Sequence, residues 1–118
     1  MLDMLSKPPA SARPEDKRAS PRRPLRCRVK VIGANGQIIK GESFDLSTGG
    51  IGVIIDDPLQ LGEICTVMFA PFRDGSVKSV TVMARVAFCM LNTSGYRTGF
   101  EFKNPSSDTS AVIASLLA

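Results

Sequence analysis

From Arg26 onward the chain is written in short runs that alternate apolar and polar residues, each closed by a turn signal. A period of two excludes a helical fold for most of its length. Cys27, Val29 and Val31 alternate with Arg28 and Lys30, the pattern of a strand with one buried face. Asn35-Gly36 takes positive φ readily and predicts a tight hairpin turn, after which Gln37–Phe44 reads as the returning strand. Asp45–Gly49 reads as a turn-forming interruption. Gly50–Ile55, Ile64–Phe69, Val77–Met90 and Tyr96–Lys103 follow, separated by Pro58–Glu63, Arg73–Ser76 and Asn92–Gly95. Val77–Met90 is long enough to predict a strand that bends or carries a bulge. Met68, Met83 and Met90, with Phe69, Phe88, Phe100 and Phe102, are expected to pack in the interior.

Asn104–Asp108 breaks the pattern, and Thr109–Ala118 places Val112, Ile113, Leu116 and Leu117 at helical spacing. Ser107 or Asp108 is the expected cap. About six short strands with one terminal helix predict a mainly all-β fold. The expected form is a six-stranded antiparallel β-barrel with a short C-terminal α-helix over one opening, because closure removes exposed edges in a short chain. Residues 1–20 are polar and proline-bearing and are expected to form a flexible basic tail. Residues 21–118 then form the single domain. Pro21 and Pro24 flank a double arginine and predict an extended N-terminal arm over Arg22–Arg26.

Charge is concentrated at one end. Residues 1–30 carry nine basic and three acidic residues, net +6, while the remaining 88 residues net −2. That asymmetry predicts a polyanionic partner: a nucleic acid, an anionic membrane or a phosphate-bearing small molecule. Arg13, Lys17 and Arg18 in the tail are read as solvated charges. The chain has no histidine, which excludes Ser-His-Asp and Cys-His catalysis and the commonest metal ligand. No paired carboxylates stand out as a catalytic site, so no enzyme is expected. Cys27, Cys65 and Cys89 are odd in number with no Cys-x-x-Cys, and are read as small hydrophobes, not as a disulfide or metal site. No apolar run approaches the roughly 20 residues a membrane helix needs. The opening Met1–Ser6 does not resemble a secretory leader, so a cytoplasmic location is expected, with no membrane insertion.

Two clusters remain that this scaffold does not require. Arg22 and Arg26 form Arg-x-x-x-Arg with Arg23 between them, and Asp45, Ser47 and Gly50 form Asp-x-Ser-x-x-Gly with Gly49 inside it. Guanidinium groups fork onto phosphate oxygens and stack on bases. A carboxylate and a hydroxyl pair with a base edge, and glycine admits close backbone approach. Either cluster alone is a common solvated tail or an ordinary turn.

Taken together, in this order and in this β context, the two clusters resemble the PilZ domain family, whose members bind the bacterial second messenger cyclic di-GMP. The likeness continues through Gly50-Ile51-Gly52-Val53, Leu59-x-Leu61-Gly62-Glu63 and Tyr96-x-x-Gly99-Phe100-Glu101-Phe102. The resemblance implies a PilZ-type barrel whose arm folds over the ligand. Arg22 and Arg26 would contact phosphates and stack on guanines, with Arg23 as a competitor. Asp45 and Ser47 would contact a guanine edge, and Gly49 and Gly50 would let the backbone approach. Cyclic di-GMP is then the ligand, no cofactor is implied, and the output passes to an unidentified protein partner in control of motility, biofilm or exopolysaccharide. Two other readings compete. A PilZ-like adaptor that binds no nucleotide is disfavoured by the intact motif residues. A small nucleic-acid-binding barrel is disfavoured because the chain has no tryptophan and one tyrosine with which to stack bases.

Overall fold

The computed structural model describes residues 21–118; the tail expected over residues 1–20 lies outside the described residues. The described residues form nine strands and one helix, in order: β1 (Arg23–Pro24), β2 (Arg28–Ile32), β3 (Ile38–Ser47), β4 (Gly50–Ile55), β5 (Ile64–Phe69), β6 (Phe72–Arg73), β7 (Ser76–Val77), β8 (Val80–Asn92), β9 (Gly95–Phe102) and α1 (Ser107–Leu117). Strands β3, β2, β5, β8, β9 and β4 pair in that order, and β4 pairs back onto β3. The result is the expected closed six-stranded antiparallel barrel. β1 lies on the same edge of β3 as β2, one after the other, through Arg23 opposite Leu46 and Arg28 opposite Glu42.

Alternation builds the core. Val29 and Val31, Val53 and Ile55, Val67 and Phe69, and Val82, Ala84 and Val86 all point inward and are buried. Met68 is half-buried on the outer side of that alternation, and Met83 and Met90 are 53% and 56% exposed. The methionines are therefore wall residues and not core fillers: they occupy the polar phase of strands whose apolar phase is already complete.

Two strands carry one extra residue. The pairing of β3 with β4 shifts between Ser43 and Asp45, and that of β8 with β9 shifts between Val86 and Phe88. A bulge reverses which residues face inward beyond it. In β3 the inward set Ile39 and Ser43 gives way to Leu46, and Asp45 turns outward. Asp45–Ser47, expected in a turn, thus completes β3, and only Thr48-Gly49 turns the chain. In β8 the bulge at Ala87 brings Phe88 to the outer wall, 39% exposed, instead of into the core.

The start of α1 is capped by Ser106, one residue before the expected pair. Its extended backbone follows Pro105, and its Oγ accepts the Thr109 N–H at 3.1 Å. Ile113 and Leu116 are buried in the barrel's own core cluster. The helix touches both β8 and β3, which stand three places apart in the six-membered ring, on opposite walls. A helix reaching both lies across the barrel opening. Its last carbonyls, Leu116 and Ala118, accept from the Arg73 guanidinium. Arg73 is delivered by the β6–β7 hairpin, whose turn residues Asp74 and Gly75 have φ of 55° and 81°, as a two-residue hairpin turn demands.

The cysteines are free. Burial, with Glu63 nearby, pushes the Cys65 thiol up to about 11, and burial also raises Cys27 against the opposing bond from Ser43. Both therefore stay protonated near neutrality, as small hydrophobes do.

Leu116→Ala is expected to destabilise the domain by about 2–4 kcal/mol, and Arg73→Ala by about 1 kcal/mol through the unpaired helix carbonyls. Urea denaturation midpoints of the two variants check the order.

Candidate functional site

The Arg22 guanidinium grips the Asp45 carboxylate with two parallel bonds, Nε to Oδ2 at 2.9 Å and Nη2 to Oδ1 at 3.0 Å, and reaches Ser47 Oγ with Nη1 at 3.3 Å. Residues 23 positions apart in the chain meet because β1 runs beside the end of β3, with Pro24 opposite Asp45. The Ser47 hydroxyl also accepts the Gly49 N–H at 3.2 Å and donates to the Gly50 carbonyl at 3.4 Å, which holds the turn between β3 and β4.

The arm is attached by a residue that sequence reasoning missed. Ser43 Oγ accepts the Cys27 N–H at 3.0 Å and donates to the Leu25 carbonyl at 2.6 Å. One buried hydroxyl thus joins the end of β1 to the start of β2 across Arg26, which is left over and projects into solvent. Leu25 N–H to Phe44 O at 3.3 Å and Ser43 N–H to Cys27 O at 2.9 Å complete the seam. An inward serine in an otherwise apolar phase is the sequence signal that marks it.

Beside this seam, the outer wall carries a cavity of about 500 Å³. Its floor is glycine. Gly52 and Gly99 are direct cross-strand partners, flanked in the same row by Asp45 on β3 and Phe88 on β8. A Cβ on Gly52 would lie 2.4 Å from the Phe44 ring and 2.6 Å from Asp45 Oδ1, and one on Gly99 would lie 2.2 Å from the Phe88 ring. The two rings therefore lean over the glycine floor from opposite sides. Arg97 of β9 stacks on Phe44, its Cζ 4.1 Å from the ring centroid, within cation–π range. Glu101 on the rim is paired with Arg85 at 3.2 Å.

Arg22, Asp45, Ser47, Gly49 and Gly50 all line this cavity. Arg23 and Arg26 do not; both are exposed, and neither side chain has a hydrogen bond or ion pair among the described residues. Gly50 has a role of its own in the barrel: its missing Cβ would stand 2.2 Å from the Phe100 carbonyl oxygen, so β9 closes on β4 only over a glycine there. Gly49 has open space around it. Phe44, Phe88, Gly52, Gly99 and Arg97 were not identified as site residues from the sequence: Phe88 is turned outward only by a bulge, and the others come together only through cross-strand pairing. A wider furrow of about 680 Å³ runs past Arg28, Lys30 and Lys40 and contains none of the motif residues. Among the described residues no cluster of His, Cys, Asp or Glu suits a metal ion, and no helix is long and apolar enough to cross a membrane.

Residues 16–118 match the family model for the PilZ domain; the chain belongs to the PilZ domain family. Three solved structures are similar. The inhibitor of motility MotI/DgrA of Bacillus subtilis aligns with a TM-score of 0.69 at 18% identity over 83% of this chain, which spans about half, 48%, of that one. The PilZ domain of CeSA from a cellulose-synthesizing bacterium aligns with a TM-score of 0.59 at 26% identity, covering 82% of this chain and 94% of that one. The PilZ domain of Escherichia coli YcgR, solved with c-di-GMP, aligns with a TM-score of 0.64 at 16% identity over 82% of this chain and 86% of that one. No curated protein matches the chain.

Gly50→Ala is expected to lower stability by several kcal/mol through the clash at the β4–β9 seam, whereas Gly49→Ala leaves it within about 0.5 kcal/mol; thermal melts separate the two. Ser43→Ala leaves the Cys27 N–H and Leu25 carbonyl without their partner and is expected to loosen the arm by about 1–3 kcal/mol. The measurement is faster hydrogen exchange at the Cys27 amide with the barrel amides unchanged.

Proposed function

We propose that this chain is a cyclic di-GMP receptor that changes the posture of its arginine arm on binding and passes the signal to a protein partner. The observation that carries the reading is the Arg22 guanidinium, held on Asp45 and Ser47 at the mouth of the cavity. The two motif halves, far apart in sequence, meet at one place, and a ligand can separate them. Family membership and the c-di-GMP-bound YcgR domain support the ligand's identity.

The chemistry of such a ligand suits these groups. Its two phosphates call for guanidinium forks, and its guanine faces call for cations and rings. Arg22 and Arg26 are assigned to phosphate contact and stacking, and Arg23 to a supporting charge. Asp45 accepts from the guanine N–H edge, as carboxylates accept from exocyclic amines in nucleic acids. Ser47 and the backbone at Gly49 and Gly50 take neighbouring polar groups. Phe44, Phe88 and Arg97 offer the apolar and cationic walls for the bases.

In the ligand-free arrangement Arg22 neutralises Asp45. Binding exchanges that internal pair for two contacts with the ligand, so Arg22 leaves Asp45 as the ligand arrives. The arm then differs between the two states, which is what a ligand-driven switch requires. The protein is read as a receptor and not as an enzyme, with residues 1–20 as a basic tail and 21–118 as the binding domain. Motility and cellulose synthesis, named for MotI and CeSA, are the processes in which the partner is sought.

Calorimetric titration with cyclic di-GMP is expected to show saturable binding. Arg22→Ala and Arg26→Ala are each expected to weaken it by about 10–100-fold, and the double variant to abolish it. Wild-type protein that gives no heat and does not compete for a labelled ligand overturns the receptor reading.

A further inference from the structure

β8 is paired along both edges only as far as Val86. Up to Arg85 it lies between β5 and β9, and Val86 still exchanges hydrogen bonds with Gly62 and Glu63. There the neighbouring segment turns away at Gly62, whose φ is 85°. β8 runs on to Asn92 with β9 along one edge, and among the described residues nothing pairs with the other. The outward N–H and C=O groups over residues 87–92 form an open template for another strand.

Proteins usually guard such an edge with lysine, proline or inward charge. Ala87-Phe88-Cys89-Met90-Leu91-Asn92 contains none of these. Met90 is 56% exposed and Leu91 74%. Leu61, 73% exposed, adjoins the Gly62–Val86 bond where β8 loses its neighbour. The bulge at Ala87 falls at the start of this uncovered stretch.

Unpaired backbone specifies an extended strand as the occupant, and an uncharged apolar ridge specifies an uncharged apolar one. The chain's own segment satisfies both. Two copies laid antiparallel about a two-fold axis place apolar residues against apolar residues, with no charge near the axis. The nearest cation, Arg97, lies on β9 opposite Met90. It would face its symmetry mate across three strand spacings, about 14 Å, beyond the screening length of about 8–10 Å. The cations Arg28 and Lys30 lie on β2, across the barrel from β9, so they do not oppose the contact.

We propose that the free edge of β8 over residues 87–92 is a self-association surface, to which a second copy of this chain adds its own β8 antiparallel across a two-fold axis. The inference does not rest on nucleotide binding. Two six-residue strands and their ridge make an interface at the small end of the specific range, so the dimer is weak and grows with concentration.

Sedimentation of the full chain across a dilution series reaching about 500 µM tests it. The apparent mass is expected to rise from 12.7 kDa toward twice that value. Met90→Lys/Leu91→Lys, at two exposed positions outside the cavity, is expected to stay monomeric with unchanged circular dichroism. Hydrogen exchange over residues 87–92 is expected to slow several-fold with concentration in the wild type and not in the variant. A wild-type monomer at every concentration overturns the proposal, and so does a dimer that survives in the variant with exchange over 87–92 unaffected. Cyclic di-GMP titration of the variant keeps the two readings apart, since loss of dimer with binding intact concerns the edge alone.

Discussion

A barrel of only six staves closes by bending them, and here β3 and β8 bend by each carrying one extra residue. The outer wall owes the Asp45 carboxylate and the Phe88 ring to those two bulges. Without the one at Phe44, Asp45 would continue the inward phase of Ile39 and Ser43 and bury a carboxylate among valines and isoleucines, at a cost no small domain sustains. Without the one at Ala87, Phe88 would follow Ala84 and Val86 into the core. Closure of the barrel and construction of the cavity are one geometric event.

How much of this the sequence disclosed depends on the range of the interactions involved. The alternation of Cys27, Val29 and Val31, the Asn35-Gly36 turn and the spacing of Ile113 and Leu116 are local patterns, and they correctly implied a closed barrel with a helix packed on it. Asp45–Ser47 misled because Asp, Ser and Gly in succession have turn chemistry, yet pairing with β1 and β4 keeps them extended. Met83 and Met90 misled because they alternate with Val and Phe. In β8 it is the other phase from Met83, with Val82, Ala84 and Val86, that points inward, and Met90 lies beyond the bulge that reverses it. Ser43 showed only as a serine in an inward apolar phase; its role stayed hidden, since both its partners, Leu25 and Cys27, lie far from it along the chain. The motif residues were legible as chemistry; the glycine floor and its two rings appear only once four strands are aligned.

The pair that holds the arm is of a strength suited to exchange. Arg22 is 46% exposed and Asp45 22%, so water screens their attraction and the net stabilisation is small. The bidentate geometry supplies orientation more than energy. The heavier attachment is one step along the chain, where the buried Ser43 hydroxyl bridges Leu25 and Cys27. The arm is thus fixed at its root and lightly held at its tip, with the Arg26 side chain projecting free from the root. On the receptor reading, release of Arg22 is local and inexpensive, while the root keeps Arg26 beside the cavity.

The cavity and the open edge share a strand. Phe88 leans over Gly99 as one wall of the cavity, and the same residue lies at the beginning of the unpaired stretch of β8. A ligand that displaces the Phe88 ring and a strand that docks on β8 both act on this one short segment after the Ala87 bulge. Coupling between two binding events is reciprocal in free energy. If ligand occupancy favours one posture of β8, association through β8 must change ligand affinity by the same factor. The bulge that turned Phe88 outward to line the cavity falls directly after Val86, where the segment before β5 turns away at Gly62, and so both surfaces lie on the same few residues.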